Sequence, residues 1–186
     1  MQRIPTPIEQ LIIEHGIIEM VLHALSGMSQ RLDRGEHIQP SAFYRIFDFL
    51  VDFADRRHHR KEERCLFPAL GLQGVPRDTG PLGMLLQEHC TGRALIAQMK
   101  RAASALGNGD PAAAAQFAEL ARTYVELLRE HIQKENNVLF RLAGKLLDER
   151  SLQSVQDDFD EAEPDLAAAH VRYQHEAEEL ERAWAL

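Results

Sequence analysis

The sequence predicts an all-α protein: an up-down-up-down four-helix bundle with an additional C-terminal helical tail. Three observations predict it. Ala and Leu are plentiful, aromatic residues make up only 6% of the 186 residues, and β-branched runs are nearly absent, which favours helix over strand. Four long apolar-periodic stretches are separated by short Gly- and Pro-rich breaks, the punctuation of an antiparallel bundle. The chain is also internally duplicated, because "LIIEHGIIEM" at 11–20 resembles "LLQEHCTGRA" at 85–94, with Glu–His at the same place in each.

The first helix opens on "TPIE", a capping box with Thr6 as N-cap, Pro7 at the first helical position and Glu9 reaching back. It runs to about Arg34, ahead of Gly35. The second starts near Pro40–Ser41 and continues to about Phe67, where Pro68 should bend or end it. Residues Gly71 to Pro81 read as a loop, and a third helix follows from about Pro81 to Leu106. Asp110–Pro111 supplies an N-cap and a first-turn proline for a fourth helix reaching about Leu147. Residues 1–148 thus form the bundle. Residues 149–186 form an acidic tail of one or two helices, interrupted near Pro164 and packed on or extending from the bundle.

Apolar residues at 45% suffice for a core, and a net charge of −8 argues against nucleic acid as a partner. No run of about 18 apolar residues suggests a membrane span. "MQRIPTPIEQ" lacks the charged-then-apolar layout of a signal peptide, and two cysteines in separate segments make no disulfide framework. The expectation is a cytoplasmic protein, monomer or homodimer, with no nucleic-acid or membrane partner.

The nine histidines are not scattered. His15 precedes His58 by 43 residues and His89 precedes His131 by 42, in the order His, His-x-x-x-Glu, His, His-x-x-x-Glu, one element per helix. At about 100° per residue, Phe47, Val51, Ala54, His58, Glu62 and Cys65 share one stripe of the second helix. His59 lies about 100° from His58, and Glu63 points nearly to the opposite side. On the fourth helix Phe117, Leu120, Tyr124, Leu127, His131, Glu135, Val138 and Leu142 form the matching stripe. Aligning the copies places Lys61 on Lys134 and Leu66–Phe67 on Leu139–Phe140. Ile8, Leu11, His15 and Leu22 share a face of the first helix, as Leu82, Leu85, Leu86, His89 and Ile96 do on the third.

Four imidazoles and two carboxylates are therefore delivered to the bundle interior. Burying two unpaired carboxylates costs several kcal/mol each, and a bound cation removes that penalty. The predicted metal ligands are His15, His58, Glu62, His89, His131 and Glu135, with His59 in reserve because a neighbouring position can still reach a two-metal centre. Carboxylate and imidazole without thiolate suit iron, manganese or zinc. One carboxylate from each half can bridge two ions, which favours a di-iron centre over manganese or zinc. On this reading Glu62→Ala and Glu135→Ala lose metal while Glu63→Ala does not. Ferritin-like di-iron proteins use Glu and Glu-x-x-His instead.

The residues "EH" at 14–15, "HHRKEERCLFPAL" at 58–70, "EHCTGR" at 88–93 and "HIQKE" at 131–135 resemble the hemerythrin-like, or HHE cation-binding, family over about Ile8 to Leu147. The resemblance implies a hemerythrin-like bundle around two non-haem iron ions, oxo- or carboxylate-bridged. It implies His15, His58, Glu62, His89, His131 and Glu135 as ligands. Oxygen-carrying members add a fifth histidine four residues after the first on the third helix. Here that position is Arg93, so the fifth ligand is missing, or supplied by His59 or another residue.

Family members bind dioxygen, handle nitric oxide or peroxide, sense oxygen or iron, or store iron. The leading expectation is a protein that binds or senses dioxygen or nitric oxide. The alternatives are a di-iron enzyme turning over peroxide or nitric oxide in oxidative or nitrosative defence, or iron storage and repair of iron centres. A metal serving structure alone is the bland case. Whether the protein is an enzyme stays open at this stage.

Outside the ligand set, Glu19 and Arg93 are repeat partners and could pair beside the site. His23 reads as structural or exposed, Cys65 and Cys90 as space-filling, and Tyr124 as too distant for direct ligation. His170–Tyr173 matches a His-x-x-Tyr common in family tails, which suggests that the tail caps one bundle end.

Overall fold

The structure, a computed structural model, describes residues 5–163 and 165–185, leaving out the side chains at 166 and 167. The described residues are helical with no strand, and their elements in chain order are α1 (Pro7–Asp33), α2 (Pro40–Phe49), α3 (Phe67–Leu72), α4 (Gly80–Gly107), α5 (Ala113–Lys134), α6 (Phe140–Leu146), α7 (Glu149–Ala162) and α8 (Leu166–Trp184). Between α2 and α3 the chain stays helical but widens into π-helix over π1 (Leu50–His59) and π2 (Glu62–Leu66). A third π segment, π3 (Glu135–Leu139), joins α5 to α6.

The capping box forms, with the Thr6 N–H donating to Glu9 at 2.8 Å and the Glu9 N–H to Thr6 Oγ1 at 3.3 Å. Two boundaries differ from the sequence reading. The helix carrying His58 does not stop at Pro68 but continues to Leu72. Phe67 N–H already donates to Glu62 O, five residues back, so Pro68 enters at the junction where the ladder changes register. The fourth long helix starts at Ala113, because Asp110 Oδ1 accepts from Ala112 N–H at 2.9 Å and closes a turn before the helix begins. The break near Pro164 lies outside the described residues.

Around the bundle, α1 packs on α5, α5 on α4, and α4 on the α2–π1 helix, which leaves α1 and α4 diagonal to one another. Two apolar clusters fill the interior. One is built around Val21, Leu25, Phe49, Phe53, Phe117 and Tyr124, the other around Leu11, Leu66, Phe67, Leu85, Leu139 and Phe140. The candidate site lies between them. The tail does not trail away. Ala169, Tyr173, Ala177 and Leu180 of α8 join the first cluster against α1, and Val155 and Phe159 of α7 join the second. Helix α1 is long and apolar enough to cross a membrane by composition, yet 61% of its most apolar window is buried inside the protein. Its apolar face is core.

Candidate metal centre

The π segments decide which side chains face inward. A π turn holds more residues than an α turn, so consecutive positions rotate less and two neighbours can share a face. Arg60 N–H donates to Asp55 O, five residues back, and in that stretch His58 and His59 are both buried. The 100° spacing had set His59 aside. In the second half, Phe140 N–H reaches Glu135 O, five residues back, and the register slips by one. Val138 is consequently 53% exposed, contrary to the predicted stripe, and Leu139 takes its place in the core.

Helices α1, π1 with π2, α4 and α5 with π3 bring all seven candidate residues together as two buried clusters. His15, His58, Glu62 and Glu135 form one, and His59, Glu62, His89 and His131 the other, the candidate ligand atoms of each lying within 4.8 Å of one another. Glu62 faces both clusters, with Oε1 3.5 Å from His58 Nε2 and Oε2 3.5 Å from His89 Nε2. Glu135 does the same, with Oε2 3.1 Å from His15 Nε2 and Oε1 3.2 Å from His131 Nε2.

The outward ring nitrogens are held in a repeating pattern. His58 Nδ1–H donates to Glu14 Oε2 at 2.8 Å, and His131 Nδ1–H to Glu88 Oε2 at 2.9 Å. His89 Nδ1–H donates to Glu63 Oε1 at 2.8 Å, and His15 Nδ1–H to Asn136 Oδ1 at 3.0 Å. Each Glu of a Glu–His pair thus orients the His of its own half's His-x-x-x-Glu, and each residue after the bridging Glu orients a His of the other half. Lys61 and Lys134 complete the repeat by bonding Glu14 and Glu88. With protons fixed on Nδ1, the Nε2 lone pairs point inward. The repeated Glu–His and the Lys61–Lys134 alignment were the sequence signals for these partners, and the partners across halves had none. Glu63, which the helical wheel pointed away from the site, is one of them.

Arg93 does not meet Glu19. The two lie on diagonal helices, so Arg93 bonds Asp55 at 2.7 Å and Glu63 at 2.6 Å, while Glu19 takes Arg129 at 3.2 Å. His23 is exposed and pairs with Glu181 at 2.9 Å. Cys65 is buried, which pushes its thiol up to about 11, and Cys90 is exposed. Tyr124, fully buried, lines a narrow cavity with His59, His89 and His131. In the tail, His170 Nε2–H donates to Glu14 Oε1 at 2.7 Å, and Tyr173 packs against Phe49 and Phe53.

Electrostatics mark the centre as incomplete without a cation. His15 Nε2, both nitrogens of His59, and all four carboxylate oxygens of Glu62 and Glu135 are buried without a hydrogen-bond partner. Buried polar groups are ordinarily satisfied, yet all four of these residues belong to the two donor clusters. His89 Nε2 and His131 Nε2 face each other at 3.1 Å, which needs a proton or a metal between them. Burial and the charge of Glu135 raise Glu62 well above the usual carboxylate range. Burial drives His58 down to about 4 despite its bond to Glu14. Burial disfavours charge on His131 too, but Glu135 and Glu88 overcome it and lift the ring to about 9. Around this centre, burial opposes ionisation of Glu14, but His170, His58 and Lys61 outweigh it and keep the carboxyl well below its usual range.

Residues 6–143 match the sequence model of the hemerythrin HHE cation binding domain. Three curated proteins, one from Mycobacterium bovis and two from strains of Mycobacterium tuberculosis, are 23% identical to the chain over 163 residues, and each is described as uncharacterized. The alignment covers 87% of this chain, which spans only 63% of the length of those relatives. No solved structure matches. A metal-binding protein is what the matched family and the buried His/Glu clusters together support.

Proposed function

The chain belongs to the hemerythrin HHE cation-binding family, and from that premise we propose that it holds two iron ions and binds or senses dioxygen or nitric oxide. The observation that carries the reading is the pair of buried donor clusters sharing Glu62, with Glu135 spanning the same two sides. His15 and His58 would hold one ion, and His59, His89 and His131 the other. Oxygen and nitrogen donors without thiolate suit iron. Two imidazoles on one side against three on the other leave the His15–His58 side with room for a small ligand.

A bound iron pair supplies the redox change that a diatomic ligand or peroxide takes up. The chain's own residues do the rest. Glu14, Glu63, Glu88 and Asn136 hold the imidazole protons on Nδ1. Phe140, stacked on His15 at 5.5 Å, and Phe67, stacked on His89 at 6.1 Å, keep bulk water from that end. Peroxide turnover is a second reading, favoured by the narrow cavity of about 10 Å³ that brings Asp55 and Arg93 against His59, His89 and His131. We also propose the division into a bundle, 1–148, and a tail, 149–186, supported by the fresh cap at Asp148, whose side chain accepts from Ser151 N–H at 2.8 Å. The free thiols fit a reducing, cytoplasmic setting.

The test is metal analysis of the aerobically purified protein with its optical spectrum, taken before and after exposure to dioxygen, nitric oxide and peroxide. About two irons per chain with oxo-to-iron charge-transfer bands that respond to a diatomic supports the proposal. Gas evolution from peroxide moves the reading to the enzyme. Zinc, or no metal after gentle anaerobic handling, overturns both.

A further inference from the structure

A basic concavity of this acidic chain lies outside the metal centre, on the seam between π1 and the tail. It is a cavity of about 410 Å³ lined on the bundle side by Arg56, Arg57, Arg60 and Lys61 and on the tail side by Arg172, with Tyr173 beneath. Its size falls in the range of small-molecule sites. Three acids share the lining, Asp52, Glu163 and Asp165, which leaves a surplus of two positive charges in a protein whose net charge is −8.

The pairing within the cavity is uneven. Asp52 is taken by Arg56 at 2.8 Å. Glu163 is shared between Arg57 and Lys61, and Asp165 lies 3.7 Å from Arg57. Arg60 and Arg172 form no ion pair among the described residues. Arg172 instead lies over the Tyr173 ring, its guanidinium carbon 4.5 Å from the centroid, and Arg57 approaches the same ring at 5.3 Å. Two guanidiniums on one aromatic ring are pre-positioned, and the planar fork of each is suited to bidentate contact with phosphate or carboxylate oxygens.

We propose that this cavity binds a small polyanion bearing phosphate or carboxylate groups, held by Arg60 and Arg172 across the seam. Like charges from two elements are gathered in one concave site, and a polyanion between them converts their mutual repulsion into attraction. The site closes only when the tail is docked, because Arg172 and Tyr173 belong to α8 and Arg60 to the bundle. The proposal does not depend on which metal the centre holds.

Calorimetric titration of the purified holoprotein tests it, with inorganic phosphate and propane-1,2,3-tricarboxylate as probes and metal content measured before and after. One saturable site per chain for either probe is expected, weakened at least about tenfold in Arg60→Gln/Arg172→Gln and unchanged in Arg150→Gln, an exposed arginine of α7. Tighter binding of phosphate assigns a phosphorylated ligand, and tighter binding of the tricarboxylate a polycarboxylate. No saturable binding at millimolar concentration in low salt overturns the proposal. So does equal weakening in Arg150→Gln, or binding that disappears in Glu62→Ala while surviving in the double variant, since that locates the anion at the metal centre.

Discussion

Glu14 and His58 meet inside the protein at 2.8 Å, and Glu88 and His131 repeat the contact at 2.9 Å in the other half. In each case a buried or half-buried carboxylate accepts the Nδ1 proton and aims the imidazole's other nitrogen at the centre. Replacing such a partner ordinarily weakens metal binding about 10- to 100-fold. Glu14→Gln and Glu88→Gln are both expected to fall in that range, measured by competition with a chelator. Glu14 also holds Lys61 and His170, so Glu14→Ala should additionally lower the melting temperature.

The π register makes a sharper claim about neighbours. His59 and Glu63 both touch the centre's surroundings, so His59→Ala should retain about half the metal of the parent, and Glu63→Ala should hold it more weakly. Ile132 occupies the position of His59 in the second half, and Ile132→Val should leave metal content unchanged. Elemental analysis after desalting reads all three. A Glu63→Ala protein with parental metal affinity would restore the simple helical-wheel picture.

Chelator-treated protein should be most stable near pH 6.5, with losses on both sides. His58 binds its proton near 4 when folded, against 6.5 ordinarily, so the unfolded chain takes up more protons between those values and stability falls as pH drops through them. His59 is shifted in the same direction. His131 is raised to about 9, so its contribution is complete below 6.5 and is lost as pH rises towards 9. Each group contributes a slope of at most about 1.4 kcal/mol per pH unit. Urea midpoints from pH 4 to 9 give the curve, and His58→Gln should flatten its acid limb while leaving the alkaline limb in place.

Tail docking can be tested at one position remote from the centre. A Cβ on Gly27 would meet the Trp184 backbone oxygen at 1.8 Å, so Gly27→Ala must push the end of α8 away from α1. Overpacking of this kind typically costs about 1–3 kcal/mol. Faster proteolysis within α8, with α5 still protected, is the expected pattern.

Much of the architecture was legible because it rests on local chemistry. Thr6 and Glu9 cap α1, Pro40 opens α2, and Gly35 and Gly109 take positive φ where helices stop. The residues that the structure gathers, His15, His58, Glu62, His89, His131 and Glu135, stood out because they recur at matching intervals on apolar faces. What escaped was the helical pitch itself. A wheel drawn at 3.6 residues per turn turns His59 aside, turns Glu63 outward and buries Val138 in place of Leu139. Nothing in the local residues announces a five-residue hydrogen-bond repeat. Partner choice escaped too. Glu19 and Arg93 share a repeat position, but only the order of helices around the bundle shows that they sit on opposite diagonals.

Glu62 and Glu135 each turn one oxygen to either cluster. A carboxylate placed for one cation is then already placed for its neighbour, so the ordering required by the second binding event is largely complete after the first. On the proposed two-ion reading, uptake along such a path would be cooperative, with the half-loaded chain the scarcest species. When metal is short, a population of this protein would divide into full and empty molecules, responding to supply as a threshold.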